Sequence, residues 1–245
     1  MFLNSINSLA SIKKKPKKLF HPNSITGLVW YFPFTNDLNN YASGTAVNVG
    51  CVNNGVNITT ADGKNCLDFY DATDYIRLPS MPTNNNGYSI AYSIYLTQDP
   101  TDGYCFLNFV NSTTSYYDII TLEINYGSQM TPYSSNSTKI GWFYPFTYSS
   151  SLFKDKWNHF VFTINKSDKG AFYLNGTLLN VTQGGQPTYA PNCKYPQKQL
   201  IYCSIGNDRE YYNNYYSIVG KFNNFLYYDN VLTAEDVSAL YNFVK

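Results

Sequence analysis

The stretch from Trp157 to Gly176, WNHFVFTINKSDKGAFYLNG, decides the fold of this chain. Apolar side chains occupy both odd and even positions of its first eight residues, so a strand here would present two apolar faces. A polar turn from Asn165 to Gly170 follows, and the second strand ends at Asn175-Gly176, a pair that favours a two-residue hairpin loop. The stretch therefore predicts a β-hairpin whose first strand lies in the middle of a sandwich.

The remainder of the chain has the composition and spacing of an all-β domain. Its 245 residues suit one large sandwich, and its 25 tyrosines and 16 phenylalanines favour strands over helices. Segments rich in Ser, Thr and Asn separate the apolar runs, which is typical of antiparallel connections. The further runs that predict strands are Leu28–Phe34, Cys66–Phe69, Tyr75–Pro79, Tyr88–Leu96, Tyr104–Val110, Asp118–Asn125, Lys139–Tyr144, Leu200–Gly206 and Ser217–Asp229. Residues 36–65, rich in Gly and Asn, are predicted as a connection.

The end of the chain predicts a short helix. Thr233 can cap it, and Asp236 three positions later completes a capping-box pattern. The residues that fall on one face of this helix are Val237, Leu240, Tyr241 and Val244.

Several ordered motifs resemble the laminin-G-like or concanavalin A-like jelly roll of the lectin/glucanase superfamily. They are Trp-x-His followed by an apolar strand and Tyr-Leu-Asn-Gly, the strand ending Ile205-Gly206, and the final Tyr-Asp-Asn-Val-Leu-Thr-Ala-Glu-Asp-Val. The resemblance implies an antiparallel two-sheet jelly-roll sandwich with a short C-terminal helix. We therefore expect two units, a basic N-terminal arm at 1–26 and a laminin-G-like jelly-roll domain at 27–245.

The arm carries a cluster of positive charge. Its lysines are Lys13, Lys14, Lys15, Lys17 and Lys18. Acidic residues outnumber basic ones in the rest of the chain, and the lysine run has no interleaved aromatic or Arg, so we expect an electrostatic anchor to other protein chains and not a nucleic-acid reader.

The sequence also indicates a compartment. The weak apolar stretch at the start precedes the lysines, which predicts a chain made without a secretory signal, and no apolar run is long enough to cross a bilayer. The five cysteines form no Cys-x-x-Cys pair, which favours reduced thiols and excludes the usual zinc patterns. They are Cys51, Cys66, Cys105, Cys193 and Cys203.

Residues suited to catalysis are scarce, so we expect a protein that is not an enzyme. The glucanase branch of the superfamily uses closely spaced carboxylates on one strand, whereas Glu123 has no carboxylate two or four residues away. Glu235 lies in the predicted helix cap, and Glu210 has only Asp208 nearby. His159 is expected to be a hydrogen-bonded core histidine, because relatives carry His there as part of the sandwich.

A calcium site has weak support, and we expect no cofactor. Relatives often have acidic residues after the first strand and in the closing strand, where this chain has the neutral pairs Thr35-Asn36 and Asn223-Asn224. The oxygen ligands that remain are Asp71, Asp74, Asn207 and Asp208, which are read as turn residues.

One aromatic cluster is the candidate site for a ligand or partner. Its residues are Asp208, Arg209, Tyr211, Tyr212, Asn213, Tyr215 and Tyr216. Rings and amides of this kind bind sugars, and tyrosines equally form protein interfaces, so both interpretations stay open.

Two functions follow from these observations. The chain is either a structural component of a larger assembly, anchored by its basic arm, or a lectin-like module that attaches to glycans. The composition, rich in Asn, Tyr and Lys, resembles that of laminin-G-like proteins from large DNA viruses, which implies a virion or capsid protein.

Overall fold

A computed structural model describes residues 20–71, 73–82, 86–98, 104–112, 118–125, 129–136, 140–142, 146–147, 153–179, 195–206, 216–217 and 219–245. Side chains are described in these ranges apart from 104–105, 119, 122–133, 140–147 and 216–217. Within this part of the chain, no helix is long and apolar enough to cross a membrane.

Strands dominate the described residues. They are β1 Leu28–Phe32, β2 Val52–Asn54, β3 Asn57–Ala61, β4 Lys64–Phe69, β5 Tyr75–Leu78, β6 Tyr88–Leu96, β7 Tyr104–Val110, β8 Ile119–Asn125, β9 Gln129–Ser135, β10 Ile140–Trp142, β11 Phe146–Thr147, β12 Trp157–Ile164, β13 Gly170–Leu174, β14 Thr177–Leu178, β15 Tyr202–Gly206, β16 Tyr216–Ser217 and β17 Gly220–Tyr228. A 3₁₀ turn at Pro22–Ser24 precedes them, and the helix α1, Ala234–Val244, follows them.

The strands form two sheets that pack face to face. The first sheet has the order β14-β13-β12-β6-β17-β4-β3, with β1 also paired to β17. The second sheet has the order β10-β9-β8-β7-β15-β5-β2, with β11 paired to β9 and β16 to β7. The pairings are antiparallel except that β16 runs parallel to β7. This is the expected jelly-roll sandwich with one short C-terminal helix.

The strand β12 occupies the predicted central place. It pairs with β6 along its whole length, from Trp157 opposite Tyr95 to Ile164 opposite Tyr88, and with β13 on its other side. Seven of its eight residues are buried. The inward residues Phe160 and Phe162 join the core between the sheets, while Val161 points to the opposite face.

The outer face of the first sheet is covered by α1. Val161 there packs with Val237 and Leu240 of the helix in a second apolar cluster. Thr233 and Asp236 form the predicted capping box at the start of the helix. Apolar residues on both faces of β12 are therefore explained by a core on one side and a helix on the other.

The strand β17 is split between two partners by a bulge. Its first residues pair with β4, its last residues pair with β1, and the register shifts between Asn223 and Leu226. Predicted as one strand over Ser217–Asp229, this region instead contains β16 and β17 as separate strands.

The predicted connection between Asn36 and Asn65 contains two strands, β2 and β3. All three residues of β2 are exposed, and β3 is mostly exposed or half-buried. Exposed edge strands need no apolar alternation, so the pattern that identifies buried strands is missing here.

Candidate functional site

The aromatic cluster proposed from sequence lies almost wholly outside the described residues. This applies to Asp208, Arg209, Tyr211, Tyr212, Asn213 and Tyr215, and only the backbone of Tyr216 is described. Gly206, the last residue of β15, pairs with Tyr75, and Tyr216 pairs with Tyr104. The arm lysines 13–18 also lie outside the described residues.

A cavity of about 410 Å³ opens at one end of the sandwich. We call it the end cavity. It lies where β6 begins at Tyr88, and the turn after β12 and the segment before β15 frame it. The described residues that line it are Met81, Pro82, Tyr88, Ile120, Asn136, Lys166, Asp168, Tyr195, Pro196, Gln197, Lys198, Gln199, Leu200 and Tyr227. Its volume falls in the range of about 300–1,000 Å³ that is usual for small-molecule sites.

One wall of the end cavity is the segment 195–200, and the side chain of Asp118 forms hydrogen bonds with its backbone. Asp118 is 1% exposed, and its Oδ1 accepts hydrogen bonds from the backbone N–H groups of Gln197 at 2.7 Å and Lys198 at 3.1 Å. Asp118 itself has φ 54°, a left-handed conformation in which Asp and Asn are tolerated better than most residues. A short acidic side chain is therefore suited to this position both as acceptor and as turn residue.

A second carboxylate ties the same wall to the first sheet. Asp168, in the turn between β12 and β13, accepts a hydrogen bond from the N–H of Tyr195 at 2.9 Å. Asn165 shapes that turn, because its Oδ1 accepts from the N–H groups of Ser167 and Lys169. The wall is thus attached to both sheets through backbone groups.

Further bonds fix the end of the wall next to β15. The Nε2 of Gln199 donates to the carbonyl of Met81 at 3.2 Å, and the Nδ2 of Asn111 donates to the carbonyl of Gln199 at 2.7 Å. The N–H of Met81 donates to the carbonyl of Leu200 at 2.8 Å. These contacts give the cavity a preformed shape.

Tyrosine rings form the apolar side of the cavity. The ring of Tyr88 lies 5.6 Å from that of Tyr195 and 6.5 Å from that of Tyr227, measured between centroids. The hydroxyl of Tyr88 is within 3.3 Å of the hydroxyl of Ser134. Burial raises the pKa of Tyr195, so its hydroxyl is neutral at physiological pH. The cavity offers rings together with amides and hydroxyls, which is the mixture that sugars require.

The acidic residues considered as calcium ligands have structural contacts. Asp74 is 6% exposed, and its Oδ2 accepts from the N–H groups of Tyr70 and Asp71 at 2.8 and 2.9 Å. Asp71 in turn accepts from the N–H and hydroxyl of Thr73. The described residues contain no group of three side chains able to hold a metal ion together. Asn207 and Asp208 lie outside the described residues.

His159 is buried, as expected, but its ring is not hydrogen-bonded to a described residue. It lies on the outer face of the first sheet, stacked on the ring of Tyr241 with centroids 6.2 Å apart. Burial, with a smaller contribution from the Lys64 ammonium, lowers the pKa of His159 to about 3. The expectation of a hydrogen-bonded histidine was therefore wrong for the described environment, since α1 covers the ring with a tyrosine face.

Three cysteines have described side chains, and all three are free thiols. They are Cys51, Cys66 and Cys203. Burial raises the pKa of Cys66 to about 11 and of Cys203 to about 12. Thiolates are the reactive form, so these groups are unreactive near neutral pH.

Sequence reasoning did not single out the end cavity. The turn at Asn165 to Gly170 was predicted correctly, but the segment before Leu200 carried only loop signals. Asp118 and Asp168 lie far apart in the chain, and neither has another Asp or Glu within four residues, so no spacing motif marks them.

Comparisons with known proteins bear on the fold. A family model described as the concanavalin A-like lectin/glucanases superfamily matches residues 70–238. A search of curated protein sequences gave no significant match.

Solved structures that contain the same fold include two determined in complex with sugars. Domain 4 of an extracellular arabinanase from Geobacillus stearothermophilus, in complex with arabinotriose, is 14% identical with a TM-score of 0.63, and the match covers 87% of this chain and 98% of that domain. The Trypanosoma rangeli sialidase in complex with sialic acid is 12% identical with a TM-score of 0.63, over 89% of this chain and 33% of the sialidase.

A third structure is the receptor-binding domain of the botulinum neurotoxin C/D mosaic serotype. It is 18% identical with a TM-score of 0.63, over 90% of this chain and 51% of that one. This chain therefore spans about a third of the sialidase and half of the neurotoxin fragment. Identities this low support the sandwich fold alone, whereas the family model matches more than half of the sequence. The chain belongs to the concanavalin A-like lectin/glucanases superfamily.

Proposed function

We propose that this domain binds carbohydrate without hydrolysing it, and that the end cavity is the binding site. The observation that carries the proposal is a preformed cavity of about 410 Å³ lined by two contacting tyrosine rings and by amide side chains. This volume suits one or two sugar rings, with the half-buried ring of Tyr195 against an apolar sugar face and the buried Tyr88 behind it. The arabinotriose complex of a domain with this fold, 98% of which the match covers, supports the same ligand class.

The charges in the cavity favour binding over hydrolysis. Glycosidases use two carboxyl groups, about 5–5.5 Å apart in retaining enzymes and about 6.5–9.5 Å in inverting ones. Among the described lining residues Asp168 is the one carboxylate, and it already accepts the N–H of Tyr195. Asp118, which does not line the cavity, accepts the N–H groups of Gln197 and Lys198. We therefore propose a binding module and not an enzyme.

A glycan array with single variants tests this proposal. Tyr195→Ala should reduce binding at least tenfold, because it removes the accessible ring, and the loss of an aromatic stacking partner costs about 1–3 kcal/mol when the ligand is a nucleic-acid base. The matched control is Tyr70→Ala. Tyr70 is 77% exposed and follows β4, whose Phe69 pairs with Gly220 at the opposite end of the sandwich.

The same array separates the cavity from the aromatic segment predicted from sequence. Tyr211→Ala with Tyr215→Ala should leave binding intact if the end cavity is the site. Loss of binding in this double variant, with Tyr195→Ala unaffected, would move the site to the segment. Absence of binding to any glycan would overturn the proposed function.

Assembly through the basic arm is a second candidate function. The observation in its favour is that Phe20 and His21, directly after the lysines, pack on Phe243 of α1 at centroid distances of 6.0 and 5.9 Å. The lysine run is therefore connected to a defined point on the domain. The hypothesis of a capsid or virion component depends on this candidate.

Deletion of residues 1–19 tests the second candidate and keeps the packed residues in place. The truncated and full-length chains are compared for incorporation into the native assembly of the protein. Loss of incorporation with an unchanged melting temperature would support an anchoring arm. Equal incorporation of both chains would exclude it.

A further inference from the structure

We infer that the end cavity selects saccharides that carry a carboxylate or sulfate group. This inference rests on the proposed function, since it specifies the ligand of the same site. Its basis is the arrangement of charge around the cavity. Cationic side chains lie at the opening, whereas the neighbouring carboxylates are engaged with the backbone.

Two lysines line the cavity from different walls. Lys166 is in the turn after β12 of the first sheet, and Lys198 is in the wall segment that leads to β15 of the second sheet. Both residues are exposed, and neither ammonium forms an ion pair with a described residue. Lys169 adds a third exposed cation in the same turn as Lys166.

The nearby carboxylates are directed at backbone amides. Asp168 accepts the N–H of Tyr195, and Asp118 accepts those of Gln197 and Lys198. The Oδ1 atoms of both aspartates therefore hold the wall segment in place through hydrogen bonds. The described lining thus places two ammonium groups against the one carboxylate of Asp168, and an anionic substituent would pair with an ammonium from each side.

The aromatic side of the cavity favours an anionic group that is attached to a sugar over a free anion. The half-buried ring of Tyr195, which packs on the buried ring of Tyr88, would contact the apolar face of a pyranose or furanose, and Asn136 lines the same space. A free inorganic anion would use the lysines alone. The cavity therefore suits an acidic saccharide better than either a neutral sugar or a simple anion.

Matched pairs of glycans provide the test. The probes are lactose with 3′-sulfolactose and cellobiose with cellobiouronic acid, together with neutral and acidic oligosaccharides on one array. We expect binding to the acidic member of a pair to exceed the neutral one at least tenfold, and to weaken as the salt concentration rises.

The lysine variants locate the effect. Lys166→Gln with Lys198→Gln should weaken acidic ligands by about tenfold, since two partly exposed ion pairs contribute roughly 1.4 kcal/mol together. The control Lys154→Gln with Lys156→Gln removes the same charge next to Trp157, where β12 begins at the opposite end, and should change nothing.

The outcomes distinguish a failure of the charge selection from a failure of the proposed carbohydrate binding. Equal binding of neutral and acidic glycans, abolished by Tyr195→Ala, would keep the carbohydrate site and overturn the charge selection. Acidic binding that survives the lysine substitutions would also overturn it. Inorganic sulfate that competes as strongly as the sulfated sugar would overturn the requirement for a sugar. No glycan binding at all would overturn both proposals.

Discussion

At the residue scale, His159 is the most unusual group in the described part of the molecule. It is 3% exposed, and neither ring nitrogen has a hydrogen-bond partner among the described residues. A buried polar group without a partner costs free energy, and the neutral form of the imidazole costs least. His159 pairs with Ser93 of the neighbouring strand, and its ring stacks on the ring of Tyr241.

The lowered pKa of His159 makes the stability of the fold depend on pH. The pKa of His159 is 6.5 in an exposed state and about 3 in the folded protein, so between these values the unfolded chain binds more protons. Stability therefore falls as the pH decreases from about 6.5, by up to about 1.4 kcal/mol per pH unit for this one group.

Replacement of His159 isolates this contribution. We expect His159→Phe to flatten the dependence of the free energy of unfolding on pH between about 6 and 4, measured by urea denaturation. His21→Gln is the control, because His21 is exposed. Identical pH profiles for His159→Phe and the unsubstituted chain would contradict the burial of a neutral imidazole.

At the element scale, the wall of the end cavity depends on side-chain acceptors and not on strand pairing. The segment 195–200 has no ladder partner of its own, and Asp118 and Asp168 accept three of its N–H groups. Elements held in this way are sensitive to the loss of one acceptor, because the backbone donors then have no partner.

Two substitutions at Asp118 separate the acceptor from the charge. Asp118→Ala removes the acceptor for Gln197 and Lys198 and should lower the free energy of unfolding by about 1–3 kcal/mol. Asp118→Asn keeps an oxygen acceptor and tolerates the positive φ, so it should cost clearly less.

Urea denaturation of both Asp118 variants gives the comparison. Glycan binding should decrease in Asp118→Ala, because Lys198 and Tyr195 lie on the displaced wall. Equal stability of the Ala and Asn variants would show that the two hydrogen bonds do not hold the segment.

At the scale of the whole molecule, the first described residues, 20–26, pack against the first sheet and the C-terminal helix. Ile25 is buried in the cluster beneath α1, the ring of His21 lies 5.7 Å from Tyr31, and the hydroxyl of Tyr228 donates to the carbonyl of Pro22. The residues from 20 to 26 therefore contact the first sheet and the C-terminal helix.

Two truncations test this packing. Deletion of residues 1–26 should lower the free energy of unfolding by about 3 kcal/mol, because it exposes Ile25's pocket and removes the aromatic contacts on Phe243. Deletion of residues 1–19 should leave stability within about 0.5 kcal/mol of the full chain. Thermal and urea denaturation of both chains give the answer, and equal losses would place stabilising contacts before Phe20.

The buried strands and the helix could be predicted from sequence, because their signals are local. The apolar run of β6, the doubly apolar β12, the Asn175-Gly176 pair and the Thr233 cap are each recognisable within a few consecutive residues. The strands β2 and β9 carried no such signal. β2 is exposed, and β9 includes Pro132 among Ser and Thr residues. Both segments are strands because they pair with adjacent strands of the sheet, and their own residues do not favour that structure.

The sequence by itself determined the class of fold and the family, since periodicity and short motifs each depend on residues that are close together in the chain. Only the tertiary structure decided the end cavity. Its lining comes from segments as distant in the chain as Met81, Asn136, Lys166 and Lys198, and the sandwich brings them to one end. Their proximity is a consequence of strand order and of the backbone bonds to Asp118, which no local pattern of residues encodes.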